Sequence, residues 1–184
     1  NLNTVFVQVR PSGDAFYKST TVPLSSFLVG RQGTALDDSL YDPLEYMIKA
    51  AHDRRMEFHA WLNPYRAVFN VFKSSVAPSH VTKIHPDWFV VYGDKKYFNP
   101  GLPEVRQHTV RVVKDLLNRY DLDAIHMDDY FYPYRIPGKE FPDQKTFEKF
   151  DGVSFEEYAI QAQCPGSCEK KQHTDQYKKK GMLI

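Results

Sequence analysis

The chain has 184 residues, 42% of them hydrophobic and 15% aromatic, enough apolar surface to offset the ordering entropy of a folded domain, which excludes a disordered polymer. Twenty-four Lys and Arg against 23 Asp and Glu leave a formal charge of +1, so nothing marks a phosphate-tracking surface and a nucleic-acid partner is disfavoured. No apolar run approaches the roughly 20 residues a membrane helix needs, and no charged-then-apolar leader opens the chain.

One domain is the expectation at this length, from the usual roughly 100 to 200 residues per domain. The chain opens on Asn1 rather than Met with a strand close behind, and this start is read as a fragment boundary. Twelve Tyr, 13 Phe and two Trp at near-zero charge suit a site that stacks on an uncharged planar or sugar-like ligand, or simply a larger core.

In chain order, Thr4–Arg10 is a β-branched and aromatic run broken by Pro11-Ser12-Gly13, which predicts a buried strand entering a loop. Asp42 before Pro43, then Leu44, Met47, Ile48 and Ala51 at helical spacing, predict a capped helix over roughly 42 to 55. Glu57–Asn63, stopped by Pro64, is the second strand, parallel to the first in the manner of a βαβ unit. From Tyr65 to Pro100 the chain reads as long, aromatic and irregular, and such loops are usually functional. Pro103 opens a second helix, with Val105, Val112, Val113, Leu116 and Leu117 apolar, ending near Tyr120. Leu122–Asp128 is the third strand. Past Gly152 the polar segment running to Lys180, with Cys164, Cys168 and His173, reads as a poorly ordered tail. Its two cysteines suit a disulfide or free thiols better than zinc.

Apolar strands alternating with helices predict an α/β fold with a parallel sheet. Side chains alternate along a strand, so Gln8 and Arg10 share a face, as do His59, Trp61 and Asn63, and as do His126 and Asp128. Helices on both sides of an open sheet would bury these polar groups at several kcal/mol for each unpaired one, whereas a barrel gathers them around its axis. A barrel is therefore expected, with its site at the C-terminal ends of the strands, where Arg10, Asn63 and Asp128 lie.

Glycoside hydrolysis needs one carboxylate as nucleophile or base and one carboxylic acid as proton donor, about 5 to 9.5 Å apart. Asp128 fits the first role, sharing its face with His126 at a strand end. Asp129 enters the site only if the chain bends there, and otherwise caps a loop or pairs with an arginine. Arg10 could hold that carboxylate ionised or grip a substrate carboxylate. Asn63, Tyr65 and Arg66 form a polar cluster suited to sugar hydroxyls. Tyr130, Phe131, Tyr132 and Tyr134 offer a stacking platform or a barrel plug. A divalent metal held by His59, His126, Asp128 and Asp129 would serve a deacetylase, but no His-x-His or His-Glu-x-x-His pattern is present. No cofactor is implied.

The segments Phe6–Tyr17, Tyr41–Glu45, Phe58–Arg66, Tyr97–Arg106 and Ile125–Tyr134 resemble glycosyl hydrolase-like family 10 over roughly residues 1 to 150. The resemblance implies an eight-unit β/α-barrel in an exported or lipid-anchored bacterial protein. One relative is thought to cleave peptidoglycan glycan strands stripped of peptide. It also marks Arg10, Asn63, Tyr65, Arg66, Asp128, Asp129 and Tyr130 as site candidates. The family has one strand before Thr4 and several units after the acid pair, and a barrel needs roughly 200 residues or more. Residues 1–150 are thus expected to form part of a barrel, with 151–184 a divergent tail. Unpaired edges of such a part would invite association. The leading expectation is a glycoside hydrolase, its rivals a non-catalytic carbohydrate-binding barrel and a metal-dependent hydrolase.

Overall fold

The computed structural model describes residues 2–36, 42–128 and 133–151. In chain order the elements are β1 (Thr4–Arg10), the single turn α1 (Ser26–Val29), α2 (Pro43–His52), β2 (Glu57–Leu62), β3 (Arg66–Val68) and the short α3 (Val81–Ile84). A one-turn 3-10 helix (Pro86–Trp88) leads into β4 (Phe89–Tyr92), followed by β5 (Lys95–Phe98), α4 (Pro103–Arg119), β6 (Ala124–His126) and α5 (Gln144–Asp151).

The first sheet has the order β1-β2-β6, and both pairings are parallel, as expected. The third strand is shorter than the sequence suggested, closing at His126, so Met127 and Asp128 follow it without strand pairing. Between Gln8 and Arg10 the register slips: Gln8 sits opposite Trp61, yet Arg10 sits opposite Leu62. This bulge bends the strand end and takes Arg10 out of simple alternation with Gln8.

Helix α2 forms because Asp42 accepts from the Leu44 amide at 3.0 Å, Pro43 occupies the first position, and Leu44, Ile48 and Ala51 recur on one buried face. It stops where Arg55 takes a positive φ of 57° and the Met56 amide reaches back to the Ala51 carbonyl at 3.0 Å, a left-handed terminus that glycine usually supplies. Helix α4 buries Val105, His108, Thr109, Val112 and Leu116. Leu117, read from sequence as apolar-face, is 52% exposed because it lies about 100° round the helix from Leu116.

Both helices pack on the same side of the parallel sheet. Leu44, Ile48 and Ala51 of α2 and Val112 and Leu116 of α4 share a core with Val9, Phe58, Ala60 and Leu62, flanked by Val5, Val7, Ile125 and Met127. Burying a side chain such as Phe58 or Leu62 contributes roughly 1.5–3 kcal/mol, and truncating Leu44 to Ala would cost about 2–5 kcal/mol.

The stretch expected to be irregular instead carries a second sheet, antiparallel and ordered β3-β5-β4. Val90 faces Tyr97 and Val91 faces Lys96 across a two-residue turn at Gly93 and Asp94, where Gly93 has a φ of 65°. This sheet has a core of its own, with Tyr65, Ala67, Val81, Trp88, Phe98 and Val105. Helix α5, also not anticipated, buries Phe147 and docks through Thr146, whose hydroxyl accepts from the Asn99 amide nitrogen at 2.6 Å. Past Asp151, the expected tail with Cys164, Cys168 and His173 lies outside the described residues.

Candidate active site

The face of the parallel sheet turned away from α2 and α4 carries Phe6, Gln8, His59, Trp61 and His126, the row expected to line a barrel interior. The Phe6 ring meets His59 at 4.7 Å and His126 at 4.9 Å, both edge-on, and Trp61 meets His126 edge-on at 5.9 Å. Phe6 remains 54% exposed, and the other members of the row are half-buried. The buried indole nitrogen of Trp61 has no partner among the described residues. Asp128 follows this row two residues beyond His126 and is half-buried. Asp129, Tyr130 and Tyr132 lie outside the described residues, as does Phe131. Tyr134 is largely exposed.

Arg10 and Asn63 come together, but inside the protein rather than on an open concavity. Arg10 is 1% exposed and Asn63 5%. One terminal nitrogen of Arg10 donates to the Asn63 carbonyl at 2.9 Å, and its guanidinium lies 5.7 Å from the centroid of the Phe98 ring. Its Nε and other terminal nitrogen have no hydrogen-bond partner among the described residues. Burial pulls the guanidinium below the ordinary arginine value, against the opposing fields of Tyr17 and Asp14. The bulge explains this placement, since an unslipped strand would have kept Arg10 on the Gln8 face.

Asn63 spends its side-chain oxygen on the amides of Tyr65 at 3.1 Å and Arg66 at 2.7 Å, closing the turn out of β2. Tyr65 is buried in the second core, and burial raises its hydroxyl pKa, opposed by Arg106. Arg66 remains half-buried: its Nε donates to the Pro11 carbonyl at 2.8 Å, and its guanidinium lies 5.2 Å from the Phe69 ring centroid.

Two groupings of residues escaped the sequence reading, although Arg66 and Gln8 of the second were singled out individually. Asn99 and Arg106 secure the loop into α4: Asn99 accepts from the Gly101 amide at 3.1 Å, and Arg106 donates to the carbonyls of Pro100 and Gly101. Their signal was the Asn-Pro-Gly sequence before a helix. The second group lines a cleft of about 1170 Å³ between the loop after β1 and the segment after β3, with Gln8, Asp14, Gln32, Arg66 and Phe69 among its walls. Nothing in the spacing of these residues pairs the two segments. Among the described residues, no three His, Cys, Asp or Glu side chains cluster as metal ligands, and no helix is long and apolar enough to cross a membrane.

Parallel strands covered by helices on one face, with polar and acidic residues past the strand ends, define an α/β protein of the class that places its ligands at the carboxyl edge of the sheet. The chain belongs to the glycosyl hydrolase-like 10 family, matching it over residues 1–160. It is 46% identical over 155 residues to the glycosyl hydrolase YngK of Bacillus subtilis, covering 84% of this chain and 30% of that protein. It is 36% identical over 161 residues to the glycosyl hydrolase DigH of Escherichia coli K12, covering 83% of this chain and 36% of that one. The chain thus spans about a third of these relatives' length. Among solved structures, a maltogenic α-amylase, AmyB of Thermotoga neapolitana, aligns with a TM-score of 0.42 at 17% identity, over 82% of this chain and 35% of that one. An α-galactosidase of Lactobacillus brevis aligns at 0.40 and 13% identity, over 67% and 16%.

Proposed function

We propose that this chain is part of an exported glycoside hydrolase and that Asp128 is its principal carboxylate. The observation that carries the reading is the position of Asp128, half-buried two residues past His126 at the carboxyl end of β6, in a member of a glycosyl hydrolase-like family. Asp128 acts as nucleophile or as base toward water, and Asp129 is the proton donor or its support. In either case the sugar passes through an oxocarbenium-like transition state that a nearby carboxylate stabilises.

The ring row of Phe6, His59, Trp61 and His126 gives that sugar an apolar, edge-rich wall. Arg10 and Asn63 act from behind it, fixing the ends of β1 and β2, and the stacking role for Tyr130 and Tyr132 rests on their sequence alone, since both lie outside the described residues. The substrate is a bacterial or dietary glycan, with peptide-free peptidoglycan strands the leading candidate. Among the described residues β1 and β6 are the outermost strands of the parallel sheet, and further β/α units add at these edges to close a barrel.

The test is Asp128→Asn in the full-length protein, assayed separately for glycan cleavage and glycan binding. Cleavage should fall by several orders of magnitude with binding retained, because the substitution keeps shape and removes the charge. Cleavage at the parent rate by the variant would end the reading, and binding by a parent that cleaves no glycan would mark a carbohydrate-binding protein instead.

A further inference from the structure

The chain that continues from Asp128 is taken up by the antiparallel sheet. Ile136, Pro137, Gly138 and Lys139 form a tight turn, closed by the Lys139 amide donating to the Ile136 carbonyl at 3.0 Å. Gly138 has a φ of 71° at the third position, after proline at the second, the pattern of a type II turn. The Ile136 N–H and the Lys139 carbonyl, the other backbone groups of the two end residues, both meet one side chain. The Tyr92 hydroxyl accepts from the Ile136 amide at 2.7 Å and donates to the Lys139 carbonyl at 3.1 Å.

The neighbouring contacts fit the same docking. Tyr92 is 6% exposed, and its ring meets Phe141 edge-on at 5.5 Å, as the Tyr97 ring does at 6.1 Å. A side-chain carbon on Gly93 would lie 2.9 Å from Ile136 Cδ1, so glycine in the hairpin turn leaves the room that isoleucine fills. Further on, Thr146 of α5 accepts from Asn99. Tyr92 ends β4 and Asn99 directly follows β5, so one hairpin holds the returning chain at two points.

The place of the hairpin gives this docking its consequence. Its sheet begins at Arg66, just past the turn that Asn63 closes at the carboxyl end of β2. The Tyr92 clamp therefore ties the chain leaving the carboxyl end of β6 to a body standing at the carboxyl end of β2. Anchoring that chain at Ile136, ahead of α5 at Gln144, roughly halves the span between Asp128 and its next fixed point, and halving a loop favours its closed arrangement by roughly threefold.

Resting on the hydrolase reading, we propose that Tyr92 is a positioning residue of this enzyme: its hydroxyl clamps the turn after Asp128 to the antiparallel sheet and so narrows the arrangements open to the chain at Asp128 during turnover. Tyr92 acts through that turn and touches no substrate.

Tyr92→Phe in the full-length protein tests this, because it keeps the ring against Phe141 and removes only the hydroxyl. Amide exchange at Ile136 should rise about tenfold or more, while β1 and β2 exchange as in the parent. On peptide-free peptidoglycan glycan strands, read well below the melting temperature, kcat should fall about threefold to tenfold with KM within about twofold, a split that lost stability alone does not produce. Gly138→Ala strains the turn from its own side, where an added carbon meets nothing within 4 Å, and should move exchange and kcat in the same direction. Should Tyr92→Phe fail to fold, Gly138→Ala decides by itself. Unchanged exchange at Ile136 overturns the clamp, and raised exchange with kcat at the parent value, or a change confined to KM, overturns the positioning role. A parent that leaves the strands intact sinks the hydrolase reading and the positioning role together, whereas an active parent matched by Tyr92→Phe sinks the positioning role alone.

Discussion

Arg10 and Asn63 exchange two hydrogen bonds: the Arg10 guanidinium donates to the Asn63 carbonyl at 2.9 Å, and the Asn63 amide donates to the Arg10 carbonyl, also at 2.9 Å. This double tie locks the ends of the first two parallel strands to each other at the edge where Asp128 emerges from the third.

Arg10→Met should therefore separate stability from catalysis. It removes two buried nitrogens that lack partners along with one hydrogen bond, and buried charges replaced by apolar groups of similar size often cost little. A loss of no more than about 2 kcal/mol is expected in denaturant melts. In the full-length protein kcat should nevertheless fall about tenfold or more with KM nearly unchanged, since small misplacements at a strand end are amplified in the rate. A matched loss in KM alone would instead make Arg10 a substrate contact.

Asp42 carries three loads, capping α2 at Leu44, accepting from the Lys18 amide at 3.3 Å and accepting from the Tyr120 hydroxyl at 2.6 Å. Asp42→Ala should cost about 2–4 kcal/mol, one part from the cap and the larger part from hydrogen bonds to a charged group. Burial first, then Asp42, pushes the Tyr120 hydroxyl above its ordinary range. Ultraviolet titration should accordingly show Tyr120 silent where exposed tyrosines ionise, and Asp42→Ala should bring it partway back.

Acid should destabilise the fold before its carboxylates titrate. Burial holds His80 down to about 4 and His108 down to about 3, against 6.5 for an ordinary histidine. Below 6.5 the unfolded chain binds protons that the folded chain does not, so stability rises with pH across this window and is lost on acidification. Each histidine contributes a slope of at most roughly 1.4 kcal/mol per pH unit. His108 stacks on Phe98 at 5.5 Å and its Nε2 has no partner among the described residues, so His108→Leu should remove its share of the slope. An acid limb of equal steepness in that variant would show that other groups carry it.

Gly13 is fixed by its neighbour. A side-chain carbon there would lie 2.6 Å from His80 Nε2 and 3.1 Å from the Ala67 carbonyl oxygen, and His80 is itself fully buried. Gly13→Ala should cost about 1–3 kcal/mol through overpacking. A double-mutant cycle with His80→Ala should recover part of that cost, and strict additivity would mean that the backbone of Ala67 is the real obstacle.

The parallel strands were legible because buried strands in a covered sheet must be apolar on the helix side, as Val5, Val7, Phe58, Ala60 and Ile125 are. The capped start of α2 was legible for a comparable reason, since Asp42 and Pro43 act locally. The antiparallel sheet was missed although its hairpin carries a two-residue Gly93-Asp94 turn between Phe-Val-Val-Tyr and Lys-Lys-Tyr-Phe, a signal hidden by the aromatic density around it. The bulge at Val9 left no mark, because no rule of alternation anticipates one extra residue. That slip moved Arg10 from the open face into the interior. The cleft likewise depends on Gln32 meeting Ala77, a pairing across 45 residues that no local pattern contains.

The segment between β2 and α4 has consequences for how such a chain can change over evolutionary time. It is a small body with its own sheet and its own apolar cluster, so substitutions along β3 and the segment after it are absorbed in a core separate from the one that sets the order β1-β2-β6. Residues of the second sheet can therefore diversify while the parallel strands that precede Asp128 stay in register. The two bodies are tied at several points: Arg10, at the end of β1, reaches toward Phe98, the Gly13 amide donates to the Ala67 carbonyl, Arg66 donates to the Pro11 carbonyl, and α4 supplies Val105 to one cluster and Val112 and Leu116 to the other. Selection acting on one body would be felt in the other at those joints.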